Sequence, residues 1–265
     1  MLTIFKRLWQ VNWAEQWQYR ANLIMYLFYW LVSPIIYLAV WTSIATAKGS
    51  VSGLTANDFV TYYMTLLVVD QITSNIVIHT FAYKIQDGSL SGELVRPIHP
   101  MLTNALVNNI AFKILTILGF IPSWILLFFL YGPDFSGVTL SNVLLAVPAM
   151  LMGFLIGYLL SAAITALAFW TTRVYSIHEF YYALMLLFSG QFVPLPLMPG
   201  FVQNAAQYLP FQLQIYFPIQ IILGKLTQAQ IMQGYVSGVV WLAIALTAFN
   251  WVWRNGVKRY SAVGA

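Results

Sequence analysis

The sequence contains no cysteine. Disulfide bonds, thiolate metal sites and a cysteine nucleophile are therefore excluded. Charge is also scarce, because Asp, Glu, Lys and Arg make up only 7% of the 265 residues, against roughly 25% in soluble proteins. Apolar residues make up 60%, more than a soluble fold of this length buries in one core. The composition therefore predicts an integral membrane protein.

The sequence lacks the motifs of ATP-binding and of common hydrolytic sites. Its one Gly-Lys pair, at residues 224–225, is followed by leucine and has no upstream glycine of a Walker loop. His178 and Glu179 match the start of a zinc-protease H-E-x-x-H motif, but Tyr182 stands where the second histidine is needed. We therefore expect no catalytic site, no metal and no cofactor in this chain.

Six segments are apolar enough and long enough to cross a bilayer as helices, which takes about 20 residues each. We predict an all-α membrane protein with a single transmembrane domain over residues 1–265, with spans at residues 21–47, 59–79, 102–131, 140–170, 177–192 and 231–253. The twelve Lys and Arg lie mostly near the ends of these segments. The net charge of +5 therefore indicates membrane orientation, with the lipid bilayer as a partner and no nucleic acid.

Residues 1–20, before the first span, carry an aromatic stripe. Phe5, Trp9, Trp13 and Trp17 recur every four residues, and the charged side chains lie elsewhere. Such a helix is typical of the membrane surface, so we predict an interfacial N-terminal helix. The alternative is that the stretch is only the first turn of span one.

Residues 194–224, between spans five and six, contain five prolines and several glutamines. Irregular backbone at membrane depth must be covered by protein or line water. We predict a re-entrant hairpin on the extracellular side. The alternative is a seventh span, which would move the C-terminus to the other side of the membrane.

The distribution of basic residues predicts that both termini are cytoplasmic. With the N-terminus inside and six spans, Lys48 and Lys225 lie outside and Lys113 lies within a span. The other nine of the twelve Lys and Arg then lie on the inner side. This excess follows the positive-inside rule, whereas seven spans would place the basic C-terminal tail outside.

Asp70 is the most unusual residue, because it lies near the middle of the second predicted span. A carboxylate there costs about 2.5–3.5 kcal/mol on membrane-insertion scales. Gln71 and Ser74 make the same part of the helix polar. One interpretation is the wall of a transport cavity that favours cationic or polar cargo. The other is a structural hydrogen bond to span three, for which the candidates are Lys113, Asn108 and Asn109.

Small residues recur at every fourth position in span four, at Gly153, Gly157, Ser161 and Thr165. Such spacing lets helices approach closely. Packing within the chain is one interpretation of this pattern, and dimerisation is the other.

The cytoplasmic loop at residues 80–101 combines charge, glycine and apolar residues. A short amphipathic helix over residues 89–95, ended by Pro97, is predicted there.

Several short motifs are similar in order and spacing to those of the ABC-2-type permeases, in the branch that includes a viologen exporter. They are Glu15 with residues 19–22, the loop motif at residues 87–97, and residues 189–199, 209–211, 218–224 and 259–264. The resemblance extends over nearly the whole chain.

This resemblance implies a permease that works with other chains. Two permeases, identical or homologous, would form the pathway between them, and two ATP-binding cassette ATPase subunits would bind ATP and Mg and dock below. The complex would lie in the bacterial inner membrane. Family members also have six spans, a flat N-terminal helix and a re-entrant stretch between spans five and six.

The resemblance further assigns roles to particular residues. The loop after span two would carry the coupling helix that contacts the ATPase, at Asp87, Gly88, Leu90, Glu93, Leu94 and Arg96. The short loop at residues 171–179, which ends at Glu179, would be a second contact. Spans two and five would line the cavity, which makes Asp70, Gln71, Ser74 and Phe188 the candidate pathway residues.

The function expected from these observations is export of an amphipathic or cationic small molecule, including multidrug efflux. A channel or secondary transporter that does not use ATP is the main alternative, but the expected internal inverted repeat is not found. A membrane enzyme would need clustered polar groups, and the acids and histidines are dispersed. Export of a lipid, glycan or peptide stays open.

Overall fold

The computed structural model describes residues 2–18, 20–101 and 105–260. Regular secondary structure in these ranges is helical, apart from an isolated β-bridge between Val51 and Leu54. The helices are α1 (Leu2–Gln18), α2 (Arg20–Lys48), α3 (Ala56–Thr73), α4 (Val77–Gln86), α5 (Ser91–Leu94), α6 (Leu106–Tyr131), α7 (Leu140–Ala166), α8 (Val174–Phe188), α9 (Gly200–Tyr208), α10 (Tyr216–Ile222) and α11 (Gln228–Val257). Short 3-10 turns lie at Leu167–Phe169 and Leu195–Leu197.

Within the described ranges, five helical stretches are long and apolar enough to cross a membrane, so the chain is a multi-pass membrane protein. They are residues Leu31–Lys48 of α2, α3 together with α4, α6, α7 with the turn that follows it, and α11. These stretches agree with predicted spans one to four and six. Helix α8 occupies the place of predicted span five but has only 15 residues, fewer than the roughly 20 of a straight crossing.

Large apolar side chains cover much of the outside of the molecule, and several polar side chains are buried within its apolar core. Phe129 on α6 is 79% exposed and Leu144 on α7 is 63% exposed. Gln71, Lys113 and Gln214 are buried. This arrangement fits a protein surrounded by lipid, where polar groups must find partners within the bundle.

Helix α7 lies at the centre of the bundle and packs against α3, α4, α10 and α11. Its small residues allow close contacts within the chain. A Cβ on Gly153 would come within 2.8 Å of the Leu213 carbonyl oxygen, and one on Gly157 would overlap the Gln214 side chain. The small-residue pattern of span four therefore serves packing within this chain.

The proline-rich segment after α8 folds into α9 and α10, of nine and seven residues. Phe211, Leu213 and Ile215, which precede α10, are buried. The irregular backbone is thus covered by protein, as membrane depth requires. Neither helix is long enough to cross a bilayer, and a re-entrant path for the segment stays a prediction.

Helix α1 confirms that the N-terminal stretch is helical. It packs against α6, where the Asn108 side-chain amide donates to Asn12 Oδ1 at 2.9 Å. Trp9 and Trp13 stack with ring centroids 5.8 Å apart. These two tryptophans of the predicted stripe therefore lie side by side on the helix.

Candidate functional site

The second span is interrupted at residues 74–76, where the sequence alone predicted a helix up to residue 79. Helix α3 ends at Thr73, and Ser74 is extended, with φ −60° and ψ 162°. The Ser74 N–H still donates to the Asp70 carbonyl oxygen at 2.9 Å. The side chains of Ser74 and Asn75 compete with helical backbone hydrogen bonds, which favours an end of the helix here.

Lys113 of α6 reaches into this interruption. Its ammonium donates to the Gln71 carbonyl oxygen at 2.9 Å and to Ser74 Oγ at 3.3 Å. It also lies 5.2 Å from the centre of the Phe154 ring. A buried cation at a helix C-terminus is stabilised by the unpaired carbonyl groups and by the helix dipole. Lys113 therefore acts as the C-terminal cap of α3.

One interpretation of Asp70 was a structural hydrogen bond to span three, and the contacts of the candidate partners bear on it. Asn108 binds Asn12 rather than Asp70, and Lys113 makes its hydrogen bonds to Gln71 and Ser74. Asp70 and Lys113 interact electrostatically. Among the described residues, however, no side chain forms a hydrogen bond or ion pair with the Asp70 carboxylate.

A polar cavity of about 140 Å³ opens beside the interruption. Residues of α2, of the α3–α4 connection, of α7, of α8 and of the proline-rich segment contribute to it. Its lining includes Asp70, Ser74, Asn75, His79, Ser161, His178, Glu179, Tyr181, Gln191 and Gln214. The cavity therefore gathers two carboxylates, amides and hydroxyls at the level of the broken span.

Two amide oxygens of this lining have no donor. Asn75 Oδ1 and Gln191 Oε1 are buried and accept no hydrogen bond from any described residue. Gln214 Nε2, by contrast, donates to the Tyr181 hydroxyl at 3.5 Å. Buried polar groups are normally paired with protein or ordered water, so these oxygens mark places for a donor from outside the chain.

A row of aromatic rings passes along one side of the cavity. The centroids of adjacent rings are 5.6–6.4 Å apart. The row itself consists of Tyr175, His79, His178, Tyr181, Phe211 and Phe188. Phe188, a predicted pathway residue, is therefore connected to the cavity through Phe211 and Tyr181.

A second cavity, of about 410 Å³, is lined by Asp58, Asp134, Tyr62, Tyr216 and Lys225, among others. The chain turns sharply at Gly190, where φ is +83°, and we call this turn the Gly190 corner. It lies next to the tyrosines of the second cavity, because the Tyr62 hydroxyl donates to the Gly190 carbonyl oxygen at 2.7 Å. Gln191, the next residue, lines the first cavity. The corner is thus adjacent to both cavities.

The predicted pathway residues occupy different positions around the first cavity. Asp70 and Ser74 line it. Gln71 is buried, and its Oε1 has no partner in the described ranges. Sequence reasoning did not single out Gln191 and Gln214 as pathway residues, although glutamine in an otherwise apolar segment was a usable signal.

The loop predicted to couple to an ATPase is compact. The Asp87 carboxylate accepts hydrogen bonds from the Ser89 N–H at 2.9 Å and from Ser89 Oγ at 2.7 Å. These bonds hold the pKa of the Asp87 carboxyl below its usual value. Lys84 and Glu93 form an ion pair at 2.7 Å, and Gly88 adopts a positive φ of 86° at the turn.

The helix in this loop, α5, is shorter than predicted. The side chains within and beside α5 differ in how far they are exposed. Leu90 is fully buried and packs in a cluster with Phe81 and Trp253, and Leu94 is half-buried beside it. Val95 is 85% exposed, and Arg96 is also exposed. The exposed apolar side chain that this loop offers to a partner is therefore Val95, whereas Leu90 is internal.

The predicted second contact loop lies beside this first one. Gln86 Nε2 donates to the Thr172 carbonyl oxygen at 3.4 Å. Glu179, which the resemblance assigned to ATPase contact, is exposed and also lines the polar cavity. The geometry thus places Glu179 with Asp70.

Two comparisons with known proteins bear on these features. A family model described as ABC-2 family transporter protein matches residues 21–264. A search of curated proteins found no match to this chain.

Proposed function

This chain belongs to the ABC-2 family transporter proteins, and from that premise we propose that it is the membrane-spanning permease subunit of an ATP-driven exporter. Separate ATP-binding cassette subunits bind ATP and Mg and supply the energy. The absence of a Walker loop from the sequence supports this division of labour.

The observation that carries the proposal is the broken second span with its polar cavity. Transporters commonly bind cargo where a spanning helix is interrupted, and an ionisable residue at this depth is by default a functional candidate. Asp70 and Glu179 give the cavity negative charge. The cargo is therefore an amphipathic or cationic small molecule, as in multidrug efflux.

The loop that contains α5 passes the energy of ATP to this cavity. Helix α4 joins the interruption at residues 74–76 directly to that loop. Closure of the ATPase dimer moves the loop, and α4 then pivots against α3. Cargo leaves the polar cavity past the Gly190 corner toward the larger, outer cavity.

The remaining features of the proposal concern assembly and orientation. Helix α8 is the fifth of six spans, and both termini are cytoplasmic, in the inner membrane of a bacterium. Two permeases, either identical or homologous, assemble with two ATPase subunits.

Purification of the tagged chain from its native membrane in mild detergent tests whether it is the permease subunit of an ATP-driven exporter. We expect a stoichiometric protein with a Walker motif to copurify and to be identified by mass spectrometry. A second permease-like chain beside it would indicate a heterodimer. Recovery of the chain without any ATPase would contradict the exporter proposal.

Asp70→Asn tests the role of the cavity. It removes the charge while keeping nearly the same volume, so transport of a cationic probe into inverted vesicles should fall about tenfold or more. Copurification of the ATPase should not change. Glu15→Gln, on the exposed surface of α1, is the matched control. Unchanged transport by the Asp70 variant would refute this role.

A further inference from the structure

Several hydrogen-bond acceptors in the lining of the polar cavity have no donor. Asn75 Oδ1 and Gln191 Oε1 are buried without a partner in the described part of the chain, and the side chain of Gln191 is only 5% exposed. The Asp70 carboxylate contributes two further acceptor oxygens to the same lining. Three side chains thus present oxygen atoms that need donors.

Two nitrogen donors close to these oxygens are already used. The Lys113 ammonium is committed to Gln71 and Ser74 and is not part of the cavity lining. Gln214 Nε2 donates to Tyr181. The charges on the lining come from Asp70 and Glu179, together with the titratable His79 and His178. The cavity is therefore suited to a ligand that brings both positive charge and hydrogen-bond donors.

We infer that the cavity holds a cationic cargo group that carries N–H donors, such as a protonated amine or a guanidinium, in preference to a quaternary ammonium. This inference rests on the proposed export function and specifies its substrate. An N–H cation neutralises Asp70 and also pairs the two amide oxygens. A quaternary ammonium supplies the charge but leaves both oxygens unpaired, and a site built for hydrogen bonds rejects analogues that lack them.

The volume of the cavity limits what enters it. About 140 Å³ is well below the roughly 300–1,000 Å³ of pockets that enclose a drug-sized molecule. Only the cationic head group therefore fits. The apolar remainder of the cargo lies outside the cavity, next to the aromatic row that includes His178 and Tyr181.

The test uses three fluorescent probes with the same dansyl group and the same five-carbon chain. One ends in a primary amine, as in dansylcadaverine, one in a trimethylammonium group, and one in an uncharged acetamide. Binding to the purified permease–ATPase complex in detergent is followed by dansyl fluorescence. We expect the amine probe to bind about tenfold or more tighter than the trimethylammonium probe, and the acetamide to bind weakest.

Variants of Gln191 test whether the preference for the amine probe over the trimethylammonium probe arises in this cavity. Gln191→Met keeps the length of the side chain but removes the acceptor, so it should reduce the difference between amine and trimethylammonium probes to about twofold. Gln191→Glu restores acceptor oxygens and should restore the preference, which separates loss of the acceptor from damage to the fold. Gln207→Met, at an exposed position of α9, is the matched control and should behave as the unmodified chain.

The outcomes distinguish this inference from the proposed function. If both cationic probes bind equally and Asp70→Asn weakens both, the cavity binds cations but the requirement for N–H donors is wrong. If none of the three probes binds, the cavity is not a cargo site, and both the inference and the proposed role of Asp70 fail. An unaltered amine preference in Gln191→Met would overturn the assignment to Gln191.

Discussion

Lys113 shows how one buried residue can hold a broken membrane helix together. An unpaired carbonyl group within a bilayer has no water to accept a hydrogen bond from, so each interruption needs donors from the protein. Lys113 provides them to the end of α3 from a neighbouring helix. Its charge is partly balanced by Asp70 at longer range and by the helix dipole.

Lys113→Met should therefore destabilise the protein. Methionine matches lysine in length but leaves the Gln71 carbonyl group without its donor, and the expected loss is about 1–3 kcal/mol. Thermal unfolding of the purified protein in detergent measures the effect. Lys225→Met, at an exposed lysine, is the control. Equal unfolding temperatures for the two variants would contradict the capping role.

Gly190 has a local role that no other residue type performs as well. Its φ is +83°, and a Cβ there would lie 2.8 Å from the Tyr62 hydroxyl oxygen and 3.1 Å from the Tyr216 ring. Both the backbone conformation and the space therefore require glycine. The corner it forms is adjacent to both the polar cavity and the larger cavity.

Gly190→Ala should cost about 1–3 kcal/mol through backbone strain and displacement of Tyr62. Unfolding in detergent measures this, and Gly200→Ala is the control because nothing lies within 4 Å of a Cβ at that position. A variant of Gly190 as stable as the Gly200 variant would show that the corner adapts freely.

At the scale of the element, the loop after α4 contains both buried side chains, which stabilise its fold, and exposed side chains, which can contact a partner. Leu90 belongs to the internal cluster with Phe81 and Trp253, so Leu90→Asp would disrupt the loop whether or not a partner binds there. Val95 is exposed at the end of the loop. Val95 is consequently the better position at which to test docking.

Val95→Asp should reduce copurification of the ATPase about tenfold or more while leaving unfolding of the permease unchanged, because a charge opposes burial in an interface. Asn204→Asp adds the same charge at an exposed position of α9 and should have no effect. Full recovery of the ATPase with the Val95 variant would exclude this part of the loop from the contact.

The broken second span was only partly predictable. The polar run of Thr73, Ser74 and Asn75 is visible in the sequence, but each of these residues also occurs inside membrane helices. The break depends on Lys113, which lies about forty residues later in the chain and caps α3 only once α6 has packed beside it. Local propensity contains no information about that contact.

At the scale of the whole molecule, α8 is the element on which the topology depends. Its 15 residues span about 22 Å at 1.5 Å per residue, less than the hydrocarbon thickness of about 30 Å. The non-helical residues 189–193 that follow extend its path. The positive-inside rule favours a crossing here, because the basic end of α11 then lies inside.

Single cysteines test this topology directly, since the chain has none of its own. Ser136→Cys and Gln228→Cys should react with a membrane-impermeant maleimide in intact cells, whereas Ser91→Cys and Thr172→Cys should react only after permeabilisation. These four exposed positions leave every Lys and Arg in place. Labelling of positions 172 and 228 from the same side would show that α8 does not cross.

Composition and hydropathy by themselves determined that this is an all-helical, multi-pass membrane protein, and they located five of its long spans, because a bilayer imposes the length and polarity of each crossing helix. The short motifs pointed to the transporter family. Only the tertiary structure decided where α3 ends, that Leu90 is internal, and that Asp70, Asn75, Glu179 and Gln191 line one cavity. Those facts depend on contacts between residues far apart in the chain, which form when the helices pack and satisfy their polar groups without water.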